Sequence, residues 1–318
     1  MVGKAADGEE ALRLVSALRP DAITLDLEMP RMDGFTFLRI LMSKMPTPVV
    51  VVSSYSQKDN VFKALELGAL DFVAKPDRHG DPDFAGISRE LVQKLMLAST
   101  IRMSPTRLGA PPIESARGAT VEEARALPVA PRHVVAIGSS TGGPSALIEI
   151  FVRLPKSYPN AIVIAQHMPD KFTRTFAERL DRRSSLDVTE ATDRDAVYAG
   201  TAFVCPGRHC MDLEADPRGG LRLRVGSPSD QDRYVPSADR LLSSVARAAG
   251  QRAVGVILTG MGDDGVVGAQ AILAAGGTVV AESDTTAVVY GMPGSAVRAG
   301  AVSIVLPLGE IASYLARL

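Results

Sequence analysis

Three short segments hold residue types that could do acyl-transfer chemistry. The first is Gly138-Ser139-Ser140-Thr141-Gly142-Gly143, which follows the apolar run VVAI. Gly138, Ser140 and Gly142 have the G-x-S-x-G spacing of a nucleophile elbow, a sharp strand-to-helix turn that pushes a serine hydroxyl outward. Side chains at the glycine positions would collide in such a turn. The helix after it offers unpaired N–H groups and a positive dipole end to an oxyanion. The same turn could also cradle a phosphate or be an ordinary connection. It is not a Walker loop, because no Gly-Lys-Ser/Thr follows, and it lacks the G-x-G-x-x-G order. The second segment is His167 after AIVIAQ, one of four histidines. A histidine there is a general base or a structural side chain. The third is Met261-Gly262-Asp263-Asp264-Gly265 after AVGVILTG. Its carboxylates could orient a histidine, bind a metal or cap the next helix.

Taken together the three are more informative than each alone. Chemistry in open parallel sheets sits at the carboxyl ends of strands, where all three segments fall. A serine attacks, a histidine takes its proton, and an aspartate fixes the imidazole tautomer. The chain order is Ser140, His167, Asp264, whereas an α/β-hydrolase runs Ser, Asp, His, so that superfamily does not fit.

The elements that must position these residues read as α/β. In the first part, helical stripes (DGEEALRLVSALRP, GFTFLRILMSKMP, KDNVFKALELG) alternate with strand-like runs (DAITLDLEMP, PVVVVSS, ALDFVAKP), and ISRELVQKLMLASTI is a final helix. Residues 102–131 carry five prolines and read as a linker, with a helical turn near VEEARAL. From residue 132, strand-like runs recur at VVAIG, AIVIAQH, TAFVCPG, LRLRV, AVGVILTG, GTVVAE and AVSIVLP, separated by several helical patterns. TAFVCPG to LRLRV reads as a hairpin turning at Pro217–Gly220. The expected architecture is two α/β domains, 1–101 and 132–318. The second is doubly wound and mostly parallel, with an antiparallel hairpin.

Composition narrows the function. Apolar residues make up 46% and charged residues 22%, and the net charge is −1. That balance favours neither nucleic acid nor an anionic membrane surface, and the absence of Trp argues against a base-stacking platform. No signal peptide or membrane span is read, so a cytoplasmic protein is expected. Cys205 and Cys210 lack a second pair to complete a zinc site and read as small thiols.

The second domain resembles the chemotaxis protein-glutamate methylesterases, through AIGSSTGGPSAL, IVIAQHMPDKFT, YVPSADRLLSSVA, GVILTGMGDDGVVGA and VVYGMPGSAV. By position, the resemblance implies Ser140 as nucleophile, His167 as base and Asp264 as the aspartate. Thr141 falls where the family has a hydrogen-bonding group, and Met261 where it has an oxyanion donor through its backbone N–H. Asp263 stands where the family commonly has Asn, and would add a second negative charge to the base if within reach. The implied reaction is hydrolysis of glutamate γ-methyl esters on chemoreceptors, with deamidation of selected receptor glutamines. No cofactor is needed for it.

The first domain resembles the phospho-receiver domains of response regulators, a flavodoxin-like fold. Asp26 in TLDLEMPRMDG matches the phosphate acceptor, and Ser53 and Lys75 match the phosphoryl-binding pair. The resemblance implies a chemotaxis histidine kinase as phosphodonor and methyl-accepting receptors as substrates. It departs at the start. The chain opens on what reads as the end of the second strand, without the first strand, its acidic pair or the first helix. Asp26 and the Glu28 carbonyl would then be an incomplete Mg²⁺ site, so Mg²⁺ is expected only if that strand is present. A truncated start is the favoured reading over a crippled receiver. Two other functions stand beside the hydrolase: a phosphorylation-controlled module that binds receptor or kinase without catalysis, and a nucleotide-binding domain using the GSSTGG turn. The intact triad argues against the first. The missing P-loop lysine and ribose-binding acid argue against the second.

Overall fold

The computed structural model describes residues 1–54, 58–75, 84–101, 129–216 and 219–318. The expected linker, apart from its last residues, and its VEEARAL turn lie outside the described residues. So do two residues of the Pro217–Gly220 turn. The chain divides into two compact units, Met1–Pro112 and Ile113–Leu318.

The first unit has a parallel sheet of three strands in chain order, β1 (Ile23–Leu25), β2 (Val49–Ser53) and β3 (Asp71–Ala74). Among the described residues four helices accompany it: α1 (Gly8–Leu18), α2 (Gly34–Lys44), α3 (Lys58–Glu66) and α4 (Phe84–Thr100). Val49, Val50 and Val51 are fully buried, as are Phe37, Leu38 and Leu41 of α2. Asp7 caps α1 by accepting from the Glu9 and Glu10 N–H groups, and Arg31 pairs with it. The opening VGKAA forms no strand, contrary to expectation. An isolated strand leaves its backbone groups unpaired, and no neighbour pairs with this stretch among the described residues.

The second unit is built on a seven-stranded sheet. Its strands are β4 (Val134–Ser139), β5 (Ala161–Gln166), β6 (Asp187–Glu190), β7 (Thr201–Val204), β10 (Ala253–Ile257), β11 (Thr278–Glu282) and β12 (Ile304–Leu306). All pairings are parallel, in the order β12-β11-β10-β4-β5-β7-β6. Every residue of β4, β5 and β10 is buried, which is why these runs read as continuously apolar. The helices are α5 (Gly143–Phe151), α6 (Asp170–Arg183), α7 (Ala238–Ala249), α8 (Val266–Ala274), α9 (Met292–Arg298) and α10 (Leu308–Ala316).

The hairpin differs from the sequence expectation. It pairs β8 (Cys210–Ala215) with β9 (Leu221–Gly226), antiparallel. The TAFV run is β7, inside the large sheet between β5 and β6. A buried apolar run suits the covered sheet. CMDLEA mixes buried with half-exposed positions and suits the two-stranded ribbon. The hairpin also braces α7. Arg240 binds Asp212 through Nε at 3.0 Å and Nη2 at 2.7 Å, and Asp232 through Nη1 at 3.0 Å. The Leu213 N–H donates to Ser244 Oγ at 2.9 Å. Cys205 and Cys210 are buried free thiols, and burial pushes both above the usual thiol range. Among the described residues no helix is long and apolar enough to cross a membrane.

Candidate active site

β4 lies between β5 and β10; the sheet grows first on the β5 side and later, from β10, on the other, which makes this a topological switch point. The register aligns the strand ends: Ser139 faces Gln166, and Ile257 faces Gly138. Ser140, His167 and the Asp264 loop therefore start side by side. The His167 N–H donates to the Ser139 carbonyl at 3.0 Å.

The backbone of Ser140 is held on both sides. Its N–H donates to the Thr259 carbonyl at 3.0 Å, and its carbonyl accepts from the Gly143 N–H at 2.8 Å and from Gln166 Nε2 at 2.9 Å. Gln166 is buried. It also donates to the His167 carbonyl at 3.0 Å and accepts from Ser139 Oγ at 2.7 Å. One amide thus ties the Ser140 turn to the His167 turn. Side chains at two of the motif glycines would be strained or crowded. Gly142 takes φ +81° at the start of α5, and a Cβ on Gly138 would lie 2.7 Å from the Ala238 Cβ.

His167 Nε2 lies 2.8 Å from Asp264 Oδ2. Asp264 is only 1% exposed, and its carboxylate also accepts from the Ala238 N–H at 2.7 Å and the Asp239 N–H at 2.9 Å. The N-terminus of α7 therefore stabilises this charge with two backbone donors and the positive end of the helix dipole. Asp264 accepts the Nε2 proton, so Nδ1 is the nitrogen left to act as a base. Asp239 lies alongside. Burial pushes its carboxyl up, the Gly268 N–H counters that, and the Asp264 charge adds to the rise.

The structure joins His167 to Asp264, while no hydrogen bond joins the Ser140 hydroxyl to His167 among the described residues. Such bonds are often loose without substrate and tighten in the Michaelis complex. Thr141 is buried, and its carbonyl accepts from Thr259 Oγ1 at 2.9 Å. Met261 is 41% exposed in the loop after β10, and its N–H donates to no acceptor among the described residues. The Ser140 N–H is occupied by Thr259, so it cannot serve as an oxyanion donor without breaking that bond. The charge of Asp263 is directed elsewhere: it accepts from Tyr234 Oη at 3.0 Å and from Arg233 Nη1 at 3.3 Å.

Sequence reasoning does not single out Gln166, Thr259, Gly260 or Tyr234. Gln166 carries one usable signal, a polar residue closing a buried apolar strand. Gly260 has the close backbone approach that an isolated strand-end glycine marks. A Cβ there would lie 2.8 Å from the Ser140 Cβ and 2.4 Å from Met292 Sδ. Gly260→Ala should therefore keep the fold and displace Ser140, lowering kcat about 100-fold if Ser140 reacts, as roughly 1 Å misplacements do. Steady-state kinetics beside a thermal melt would check it. Wild-type kcat in a folded variant would remove the close approach from the mechanism.

In the first unit, Asp26 follows β1, Ser53 ends β2 and Lys75 follows β3. Lys75 Nζ is 2.5 Å from Asp26 Oδ2, the Lys75 N–H donates to the Ser53 carbonyl at 2.8 Å, and Asp26 Oδ1 accepts from the Glu28 N–H at 3.1 Å. Asp26 and Lys75 are half-exposed, and Ser53 is fully buried. Among the described residues no group of three or more His, Cys, Asp or Glu side chains is placed to hold a metal ion.

A parallel sheet with serine, imidazole and carboxylate turns at one switch point, in the same chain as a receiver-like unit, defines a response regulator with a hydrolase-type output domain. The chain belongs to the CheB methylesterase family, whose profile matches residues 135–315, and the response regulator receiver domain profile matches residues 1–81. It is similar to the protein-glutamate methylesterase/protein-glutamine glutaminase 6 of Anaeromyxobacter dehalogenans, 48% identical across 99% of this chain and 87% of that protein. A Myxococcus xanthus protein named protein-glutamate methylesterase/protein-glutamine glutaminase 1 is 47% identical across 100% of this chain and 89% of its own. The crystal structure of the Thermotoga maritima CheB methylesterase catalytic domain is 41% identical. It covers 58% of this chain and 97% of that chain, with a TM-score of 0.56.

Proposed function

We propose that this protein hydrolyses glutamate γ-methyl esters, and deamidates selected glutamines, on the cytoplasmic helices of methyl-accepting chemoreceptors. The Asp264–His167 pair carries this reading, since it stands one strand away from Ser140 with the imidazole already oriented. Ser140 Oγ attacks the ester carbonyl carbon, and His167 Nδ1 takes the hydroxyl proton. The carbonyl oxygen becomes an oxyanion facing the Met261 N–H, with Thr141 supporting the turn. Collapse of the tetrahedral intermediate expels methanol, protonated by His167. The γ-glutamyl ester left on Ser140 is then cleaved by a water that His167 deprotonates, regenerating the serine and releasing glutamate. Glutamine follows the same path with ammonia as leaving group. The side chains account for the chemistry without a cofactor.

A fluorophosphonate probe tests the nucleophile. The expected result is a single adduct whose tryptic peptide maps to Ser140, with loss of methanol release from methylated receptor. No adduct in folded protein would favour a binding module without catalysis.

Regulation belongs to the first unit. A chemotaxis histidine kinase is the proposed phosphodonor and Asp26 the acceptor, with Lys75 and Ser53 receiving the phosphoryl oxygens and the receiver's state shifting the activity of the second unit. A small-molecule phosphodonor should raise methanol release, and Asp26→Asn should abolish the rise; an unchanged rate in the wild-type chain would remove Asp26 from the regulation.

A further inference from the structure

His167 has a second neighbour that the triad does not account for. The Tyr234 ring stacks on the imidazole with centroids 5.1 Å apart and planes 8° from parallel. Tyr234 comes from the segment ahead of α7, a different element from those bearing Ser140, His167 and Asp264. Its hydroxyl donates to Asp263 Oδ1 at 3.0 Å, and Asp263 Oδ2 accepts from Arg233 Nη1 at 3.3 Å. The Arg233 guanidinium lies 5.4 Å from the centre of the same ring. Burial and the Asp263 charge both push the Tyr234 phenol up, so it remains a proton donor to Asp263.

The backbone is shaped to admit this contact. Gly262 takes φ +93°, a conformation side chains rarely adopt, and a Cβ there would lie 2.6 Å from the Tyr234 hydroxyl oxygen. Asp263 and Asp264 are adjacent in sequence and do different work. Asp264 is buried and holds the edge of the imidazole, whereas Asp263 is half-exposed and holds the ring that covers the face of the imidazole.

We propose that Tyr234 is a positioning residue for His167, fixing the plane of the imidazole from its face while Asp263, paired with Arg233, anchors the phenol. Rotation of the imidazole about its bond to Cβ would swing Nδ1 away from Ser140. Asp264 restrains that rotation at one nitrogen, and a stacked ring restrains the whole plane. The negative face of the phenol ring also favours the imidazolium that forms when His167 takes the serine proton. The other charged groups near the site are already committed. Asp239 accepts from the Gly268 N–H at 2.9 Å, and Asp170 at the start of α6 lies 3.6 Å from Arg208. The assignment rests on the triad reading, because Tyr234 acts through its stack on His167.

Kinetics of methanol release by the full chain on methylated receptor, over a range of pH, tests it. Tyr234→Leu, which removes the stacked ring, should lower kcat roughly tenfold, hold KM within about twofold, and move the acidic limb of the kcat/KM profile to lower pH. Tyr234→Phe keeps the ring and loses only the anchor, so it should recover most of that loss. Asp263→Ala should cost at least as much as Tyr234→Phe, since it also frees Arg233, and the double variant should be no worse than Asp263→Ala alone, because both substitutions break the Tyr234–Asp263 bond. Should Tyr234→Leu fail to fold, the Tyr234→Phe and Asp263→Ala cycle decides alone, since Asp263 is half-exposed. Full additivity in the cycle overturns the anchor. A folded Tyr234→Leu with wild-type kcat and an unmoved acidic limb overturns the assignment while Ser140→Ala is inactive in the same assay. If Ser140→Ala is itself fully active, the triad reading fails and the Tyr234 assignment falls with it.

Discussion

Replacing Ser140 by alanine should abolish methanol release from methylated receptor, lowering kcat by about 10⁴- to 10⁶-fold, the range seen when a triad nucleophile is removed. The fold should not change. Backbone bonds to Thr259, Gly143 and Gln166 hold the turn, and none of them uses the Ser140 hydroxyl. The side chain is only partly buried, so stability should stay within about 0.5 kcal/mol of wild type. Methanol quantification beside a urea melt separates the two effects. An active alanine variant would sink the mechanism outright. An inactive but unfolded one would instead show that the turn depends on the hydroxyl.

Asp264→Asn should be nearly as damaging to catalysis and, unlike Ser140→Ala, should also destabilise. Asp264 is buried and accepts from three donors: the Ala238 N–H, the Asp239 N–H and His167 Nε2. An asparagine supplies one acceptor oxygen and one NH₂ group. With the amide nitrogen turned to Asp239, two donors face each other at the start of α7. With it turned to Ala238 and His167, the imidazole must accept at Nε2 and keep its proton on Nδ1, the nitrogen that should take the serine proton. Either orientation leaves a buried donor unpaired, at a cost of roughly 1–3 kcal/mol. The expected loss in kcat is about 10⁴-fold, as for other triads whose aspartate is made neutral. A variant within tenfold of wild-type kcat would show that Asp264 serves α7 rather than His167. An unchanged urea midpoint would show that the start of α7 does not depend on the charge.

Much of this site is legible in the amino-acid sequence. The runs VVAIGS, AIVIAQ and AVGVI are buried along their whole length, so their apolar composition announces covered parallel strands. Parallel strands put their chemistry at their carboxyl ends, which singles out the turns bearing Ser140, His167 and Asp264. The helix signals are equally local: Asp7 and Asp33 cap α1 and α2 where the sequence turns helical. Sequence and fold part company where pairing is non-local. LRLRV and TAFV are near in sequence and both strand-like, which suggests a hairpin between them. CMDLEA, whose alternation is partial, takes that place in the hairpin, and TAFV is drawn into the large sheet between β5 and β6. VGKAA reads as the end of a strand, yet forms none without a paired neighbour.

The chain by itself determined which residue types stand at which strand ends, because burial and turn chemistry act over a few neighbouring positions. Only the tertiary structure decided how those ends meet. The order β10-β4-β5 brings Asp264 and His167 together across 97 positions of sequence. The start of α7 meets Asp264, and Arg240 ties the same helix to the hairpin. Asp263 turns its charge to Arg233, and Tyr234 comes to lie on His167. Each of these contacts joins segments far apart in the chain, and its geometry depends on the packing of helices and loops over the sheet, which local pattern does not encode.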